Sequence, residues 1–233
     1  MTIENNEKNE IKNKTVKHFA VFDLDGTILN TAEDLADAVN YGLEKNGLET
    51  YSTEEVLNMV GNGVKNLVLR AIGDKKELFD VCFKDFKEYY SAHYAVKTYA
   101  YKGVKEALLS LKKSGVILGV LSNKYDAAVK DLAKIYYGNI FDYVSGEVEG
   151  VPRKPDPTSL NDMIKLCGAE KEHTVYIGDS DVDVKTAENA GVKCVSVTWG
   201  FRRKDFIKEN GGYDFADTPE EMAYKIEKDL GLR

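Results

Sequence analysis

The 233-residue sequence predicts an α/β protein with a Rossmann-like parallel sheet core and a smaller, inserted all-helical domain. Three observations carry that expectation. Short apolar runs of strand length recur between segments of helical period. The best-defined runs end in clusters of polar and charged residues, as strands of an open parallel sheet do where a ligand site gathers. One long stretch, from Thr31 to about Thr98, breaks the alternation and shows only helical spacing.

The elements follow in order. Residues 1–16 are rich in Asn, Lys and Glu. They lack the apolar centre of a signal peptide and read as a disordered tail. Phe19-Ala20-Val21-Phe22 is the first buried strand. Residues 31–98 form the helical insert, with residues 17–30 and 99–233 making the core. Within the insert, Leu35, Ala38, Val39 and Leu43 keep helical spacing, as do Leu78, Phe79, Cys82, Phe83, Phe86, Tyr89, Tyr90 and His93. Ser52 and Glu55 have the spacing of a capping box. Gly61-Asn62-Gly63 reads as a turn between helices, and the aromatic stripe from Phe79 to Tyr94 as core of the insert. After Gly103 the alternation resumes. Val104, Ala107, Leu108 and Leu111 mark a helix, and Val116 to Leu121 a strand. A helix near 125–136, a short strand Phe141–Val144 and a helix near 157–167 follow. Thr174-Val175-Tyr176-Ile177 is a strand, Ala187 and Ala190 lie on a helix, and Cys194 to Val197 is the last clear strand.

Composition narrows the function. Hydrophobic residues make up 43% and charged residues 30% of the chain, ample for a packed core of one or two domains. A formal charge of −7 argues against nucleic acid or an anionic membrane as partner. Cys82, Cys167 and Cys194 are scattered, which argues against a disulfide framework or zinc site and favours a reducing, cytoplasmic location. No apolar stretch approaches transmembrane length. His18, His93 and His173 show no ligand spacing.

The most informative segment is Asp23-Leu24-Asp25-Gly26-Thr27, directly after the first strand. Carboxylates two residues apart on extended chain point to the same side. Two acids so placed suit divided roles, one as nucleophile and metal ligand, the other as proton shuttle. A calcium loop starting at Asp23 is excluded, because Thr31 and Asp34 occupy its ninth and twelfth positions. Three later clusters complete the set: Ser122-Asn123-Lys124, Arg153-Lys154-Pro155-Asp156-Pro157 and Gly178-Asp179-Ser180-Asp181-Val182-Asp183.

Taken together and in this order, these motifs resemble the haloacid-dehalogenase-like hydrolase superfamily over residues 17 to 230. The insert resembles that family's helical cap. Val60-Gly61-Asn62-Gly63-Val64, with Leu67, Arg70 and Ala71, and the segment Val197-Thr198-Trp199-Gly200-Phe201-Arg202 resemble its phosphoglycolate phosphatase group. Lys102 stands where related sequences usually have Pro.

The resemblance implies a phosphomonoester hydrolase acting on a small phosphorylated metabolite, with 2-phosphoglycolate as candidate. Asp23 would attack phosphorus and form an aspartyl-phosphate. Asp25 would protonate the leaving alkoxide, aided by a neighbouring carboxylate and phosphate that raise its pKa, and then take a proton from water. Mg²⁺ would be held by Asp23, the Asp25 carbonyl and Asp179, with Asp183 supporting the metal's waters or Lys154. Thr27, Ser122, Asn123 and Lys154 would bind phosphate. Asn62, Lys65 and Arg70 of the cap would face the leaving group. Asp25 argues against a true dehalogenase. A sugar phosphomutase of the β-phosphoglucomutase kind, an inorganic pyrophosphatase and a non-catalytic phospholigand-binding regulator are the alternatives. The protein is expected to be a monomer or homodimer.

Overall fold

The computed structural model describes residues 16–60 and 63–233. The chain starts with β1 (Phe19–Phe22) and the two-residue β2 (Leu29–Asn30). Four helices follow: α1 (Ala32–Lys45), α2 (Thr53–Met59), α3 (Gly63–Ala71) and α4 (Phe79–His93). β3 (Tyr99–Ala100) leads to α5 (Val104–Lys113), β4 (Ile117–Tyr125), α6 (Asp126–Tyr137) and β5 (Tyr143–Glu147). Next are α7 (Thr158–Cys167), β6 (Thr174–Gly178), α8 (Asp181–Ala190) and β7 (Lys193–Val197). α9 (Lys204–Glu209), β8 (Phe215–Ala216) and α10 (Pro219–Asp229) end the chain.

Among the described residues the main sheet has six strands in the order β5-β4-β1-β6-β7-β8. All its pairs are parallel. Strand alternation explains why both faces are covered. Ala20, Phe22, Leu118, Val120, Val175 and Ile177 face one apolar cluster with α5 and α10. Phe19, Val21, Leu121 and Tyr176 face another with α7 and α8. The chain builds outward from β1 through β4 to β5 and then returns to β6 on the other side of β1. The carboxyl end of β1 is therefore the switch point where open sheets bind ligands.

The helices between β2 and β3 bury their own cluster, in which Leu35, Ala38, Val39 and Leu43 of α1 meet Cys82, Phe86 and Tyr90 of α4. The aromatic residues of α4 stack along the helix from Phe79 through Phe83 and Phe86 to Tyr90. Ser52 and Glu55 form the expected capping box. Two short elements escaped sequence reading. β2 and β3 pair antiparallel, Leu29 with Ala100 and Asn30 with Tyr99, and so tie together both crossings to the helices. Asp34 reinforces the tie by accepting from Lys97 N and Thr98 N, each at 2.8 Å. Two-residue strands carry no periodicity, so only the fold reveals them.

Two strand limits differ from expectation. β4 runs on through Ser122, Asn123 and Lys124, with its register to β5 broken between Leu121 and Tyr125. β5 lies at Tyr143–Glu147 rather than Phe141–Val144. Phe141 instead packs edge-on against Phe22 and Tyr137. Asp142 turns the chain by accepting from Leu118 N at 2.9 Å and Lys112 Nζ at 2.7 Å. No helix among the described residues is long and apolar enough to cross a membrane.

Candidate active site

β1 ends at Phe22, and Asp23 N donates to Ile177 O at 2.8 Å, extending the β1–β6 ladder by one residue. Leu24 turns into the core while Asp23 and Asp25 face a cavity of about 90 Å³. Gly26 then turns back with φ +84°, and a Cβ there would lie 2.2 Å from Asp179 Oδ2. Only glycine serves where a left-handed backbone passes so close to a carboxylate.

Asp23, Asp179 and Asp183 offer oxygens within 4.8 Å of one another, a group that could hold a metal ion. Lys154 Nζ lies 3.0 Å from Asp23 Oδ1 and 2.7 Å from Asp183 Oδ1, and donates to Tyr176 OH at 2.9 Å. One ammonium cannot neutralise three carboxylates, two of them buried. Burial pushes Asp23 up to about 7; Lys154 pulls it down, and Asp183 and Asp25 push it up. Burial, then Asp183 and Asp23, raise Asp179 well above the usual carboxylate range. For Lys154, burial opposes the charged form, yet Asp183 and Asp23 outweigh it and hold the ammonium well above its ordinary value. Such a donor set of hard oxygens fits a divalent cation.

The structure separates the expected phosphate ligands. Ser122 lines the cavity, its hydroxyl oxygen accepting from Lys124 N at 3.2 Å. Asn123 also lines it, but its amide is engaged with the Lys154 backbone. Nδ2 donates to Lys154 O and Oδ1 accepts from Lys154 N, both at 2.9 Å. Asn123 therefore pins the lysine loop to β4. Thr27 is fully buried and donates to Asp179 Oδ1 at 3.1 Å. Its place is behind the acid it orients, with its hydroxyl proton committed to Asp179. Asp183 is fully buried; Oδ2 accepts from Ser180 Oγ at 2.6 Å at the start of α8, leaving Oδ1 to Lys154.

The expected specificity residues do not gather at the cavity. Arg70 donates to Met59 O at 2.6 Å on the insert itself and is absent from the cavity wall. Lys65 lines a second, larger cleft between α4 and the loop after β5. α3 turns Gly63, Val64 and Leu67 to the cavity, and neither Lys65 nor Arg70 stands on that wall. Asn62 lies outside the described residues.

Three groups to which the sequence assigns no role are part of the site. Lys124 Nζ lies 2.7 Å from Asp25 Oδ1 and 3.0 Å from Oδ2, and 5.1 Å from the centre of the Tyr90 ring. A signal existed, since Lys124 follows Ser122 by two on one strand and so shares its face. Thr31 donates to Asp25 Oδ1 at 2.6 Å, with nothing in the sequence to mark it. The segment after β7 closes the wall. Trp199 Nε1 donates to Thr27 O at 3.0 Å, Phe201 N to Asp179 Oδ2 at 2.7 Å, and Arg202 to Leu57 O and Val60 O of the insert.

Fold and site define an open α/β enzyme with an acidic, lysine-braced centre at the sheet's switch point. The chain belongs to the haloacid dehalogenase-like hydrolase family, whose model matches residues 20–197. It is 32% identical over 221 residues to a phosphoglycolate phosphatase of Colwellia psychrerythraea, covering 91% of this chain and 98% of that one. It is 35% identical over 196 residues to a phosphoglycolate phosphatase of Pseudomonas syringae pv. syringae, covering 81% and 72%. A crystal structure of a Lactobacillus delbrueckii subsp. bulgaricus protein with a provisional phosphoglycolate phosphatase name superposes with a TM-score of 0.85 at 32% identity. That match covers 91% of this chain and 98% of the other.

Proposed function

We propose that the protein is a Mg²⁺-dependent phosphomonoesterase acting on a small phosphorylated metabolite, with 2-phosphoglycolate as substrate. The observation that carries the reading is the convergence of Asp23, Asp179, Asp183 and Lys154 beside Asp25 at the carboxyl end of β1. The relatives' names support the choice of substrate. A cavity of about 90 Å³ favours a leaving group of few atoms.

In this reading Asp23 attacks phosphorus, forming the acyl-phosphate as the ester P–O bond breaks. Asp25, ion-paired with Lys124 in the free protein, takes up a proton as the phosphate dianion enters and gives it to the departing alkoxide. It then takes a proton from water, which attacks the acyl-phosphate, releases phosphate and restores Asp23. Lys154, Ser122 and backbone N–H groups of the first turn balance charge on the phosphoryl oxygens. Lys124 and Thr31 set where the Asp25 carboxyl sits. Mg²⁺, held by Asp23, Asp179 and the Asp25 carbonyl, would supply charge neutralisation and alignment of the phosphate. Residues 31–98 serve as a cap over the leaving group.

Phosphate release from a panel of esters with Mg²⁺ tests the proposal, and rapid hydrolysis of 2-phosphoglycolate is expected. Interconversion of sugar phosphates without net release would replace it with a mutase, and ligand binding without turnover with a regulator. Ca²⁺ is expected to support turnover on the order of 100-fold less well than Mg²⁺. Its longer bonds and larger coordination number loosen the line between Asp23 and phosphorus. Equal rates with both ions would remove the metal from positioning the attack.

Cation binding should also depend on pH. The Asp23 carboxyl, raised to about 7, holds its proton longer in the fold than in the unfolded chain. Its contribution to stability is present at low pH and is lost as pH rises through about 7. A cation must displace that proton, and it relieves the repulsion once the proton is gone. The rise in Tm on adding Mg²⁺ is therefore expected to be small at pH 5 and several-fold larger at pH 8. A rise of equal size at both pH values would show that the Asp23 centre does not bind the ion.

A further inference from the structure

Three cationic side chains line the cavity: Lys124, Lys154 and Arg202. Two are paired with carboxylates, Lys124 with Asp25 and Lys154 with Asp23 and Asp183. Arg202 differs. Its partners are neutral carbonyls, with Nη1 donating to Leu57 O and Nη2 to Val60 O at the end of α2. Those bonds use two of the five N–H donors of a guanidinium. Among the described residues no carboxylate forms an ion pair with it. Its charge therefore stands at the wall of the cavity, met by two carbonyl dipoles and by the face of the Phe206 ring, whose centre lies 5.6 Å from Cζ.

The surroundings give that charge a direction. The acidic wall residues Asp23, Asp179 and Asp181 belong to the ends of β1 and β6 and the start of α8, the metal side. The insert supplies Leu35, Val60, Gly63, Val64 and Leu67, none of them charged. A leaving group turned towards this wall is desolvated. Among the described residues that line this wall, Arg202 is the cation an anionic leaving group would meet. The position of Arg202 is also set relative to the chemistry, because its neighbour Phe201 donates to Asp179. Gly200 allows that approach, since a Cβ there would lie 2.2 Å from Asp179 Cβ.

We infer that Arg202 is the specificity-determining residue of this site, reading an anionic group, a carboxylate in the first instance, on the leaving portion of the substrate. The inference rests on the phosphomonoesterase reading and moves the role expected of Arg70 to a residue that lines the cavity. A planar guanidinium matches a carboxylate with two parallel bonds, which a lysine at the same place cannot reproduce in full.

The test compares 2-phosphoglycolate with 2-hydroxyethyl phosphate, which keeps the two-carbon leaving group without the carboxylate. Loss of the two bonds to the insert affects both esters, so the ratio of their kcat/KM values isolates the charge. Arg202→Gln is expected to lower that ratio by about 10- to 100-fold, the range of one charge-assisted contact, mostly through KM. Arg202→Lys should recover much of it. A ratio within about twofold of wild type in Arg202→Gln would assign Arg202 to holding the insert and overturn the inference. Failure of the hydrolase reading is distinguishable by calorimetric titration of both esters into the Asp23→Asn protein, with and without Arg202→Gln. If the wild type releases no phosphate but Arg202→Gln selectively weakens 2-phosphoglycolate binding, Arg202 is the anion reader of a non-hydrolytic site. If the change weakens both esters alike, or neither, the inference fails.

Discussion

Asp23→Asn is expected to lower kcat by on the order of 10⁴-fold or more, the scale seen when a covalent nucleophile is removed, while the fold survives. The substitution keeps side-chain volume and leaves β1, Leu24 and the Gly26 turn unchanged. It removes an anion from a centre where burial, Asp183 and Asp25 already push the Asp23 carboxyl up to about 7. Chelated of metal, the variant should be at least as stable as wild type. An amide cannot form the acyl-phosphate, so no burst of covalent phosphoenzyme should appear on rapid acid quench. Circular dichroism and the Tm check the fold, and phosphate release checks turnover. A folded variant keeping more than about a hundredth of the wild-type rate would show that another group attacks phosphorus.

Lys154→Met should act on stability and catalysis together. Lys154 is 5% exposed and bridges Asp23 and Asp183, with Tyr176 OH as its third partner. Methionine fills a similar volume but leaves the Asp183 carboxylate facing an uncharged neighbour. Breaking a buried pair from one side costs about 3–5 kcal/mol, because the remaining charge keeps its desolvation penalty. Urea unfolding under chelation should register a loss of that size. Asp183→Asn added to Lys154→Met should recover part of it, since the stranded charge is gone. A loss under about 1 kcal/mol would place Lys154 among ordinary surface pairs. In turnover, an unbalanced charge contact at about 4 Å is worth roughly 4 kcal/mol at an effective dielectric of 20, about a thousandfold in rate.

The sequence by itself determined the class of fold and where the acidic clusters fall, at the ends of β1 and β6. Strands such as Phe19–Phe22 and Thr174–Gly178 are continuous apolar runs because both sheet faces are covered. Their ends are marked by Asp23 and Asp179 because ligands gather where parallel strands stop. These are local patterns, and local patterns survive in one dimension. The helices of the insert were legible for the same reason, through the 3.6-residue period of α1 and α4.

What only the tertiary structure decided is which side chain faces which. Thr27 has the chemistry of a phosphate donor, yet burial sets its hydroxyl on Asp179. Asn123 is drawn off to the Lys154 backbone. Arg70 carries the charge a specificity residue needs, but the helix it rides turns that charge to Met59 O, whereas Arg202 reaches the cavity from 132 positions further along the chain, by the difference of the two residue numbers. Residue type states what a group can donate or accept. Its partner depends on contacts between segments distant in sequence, as with Lys124 and Asp25, and no spacing rule encodes those.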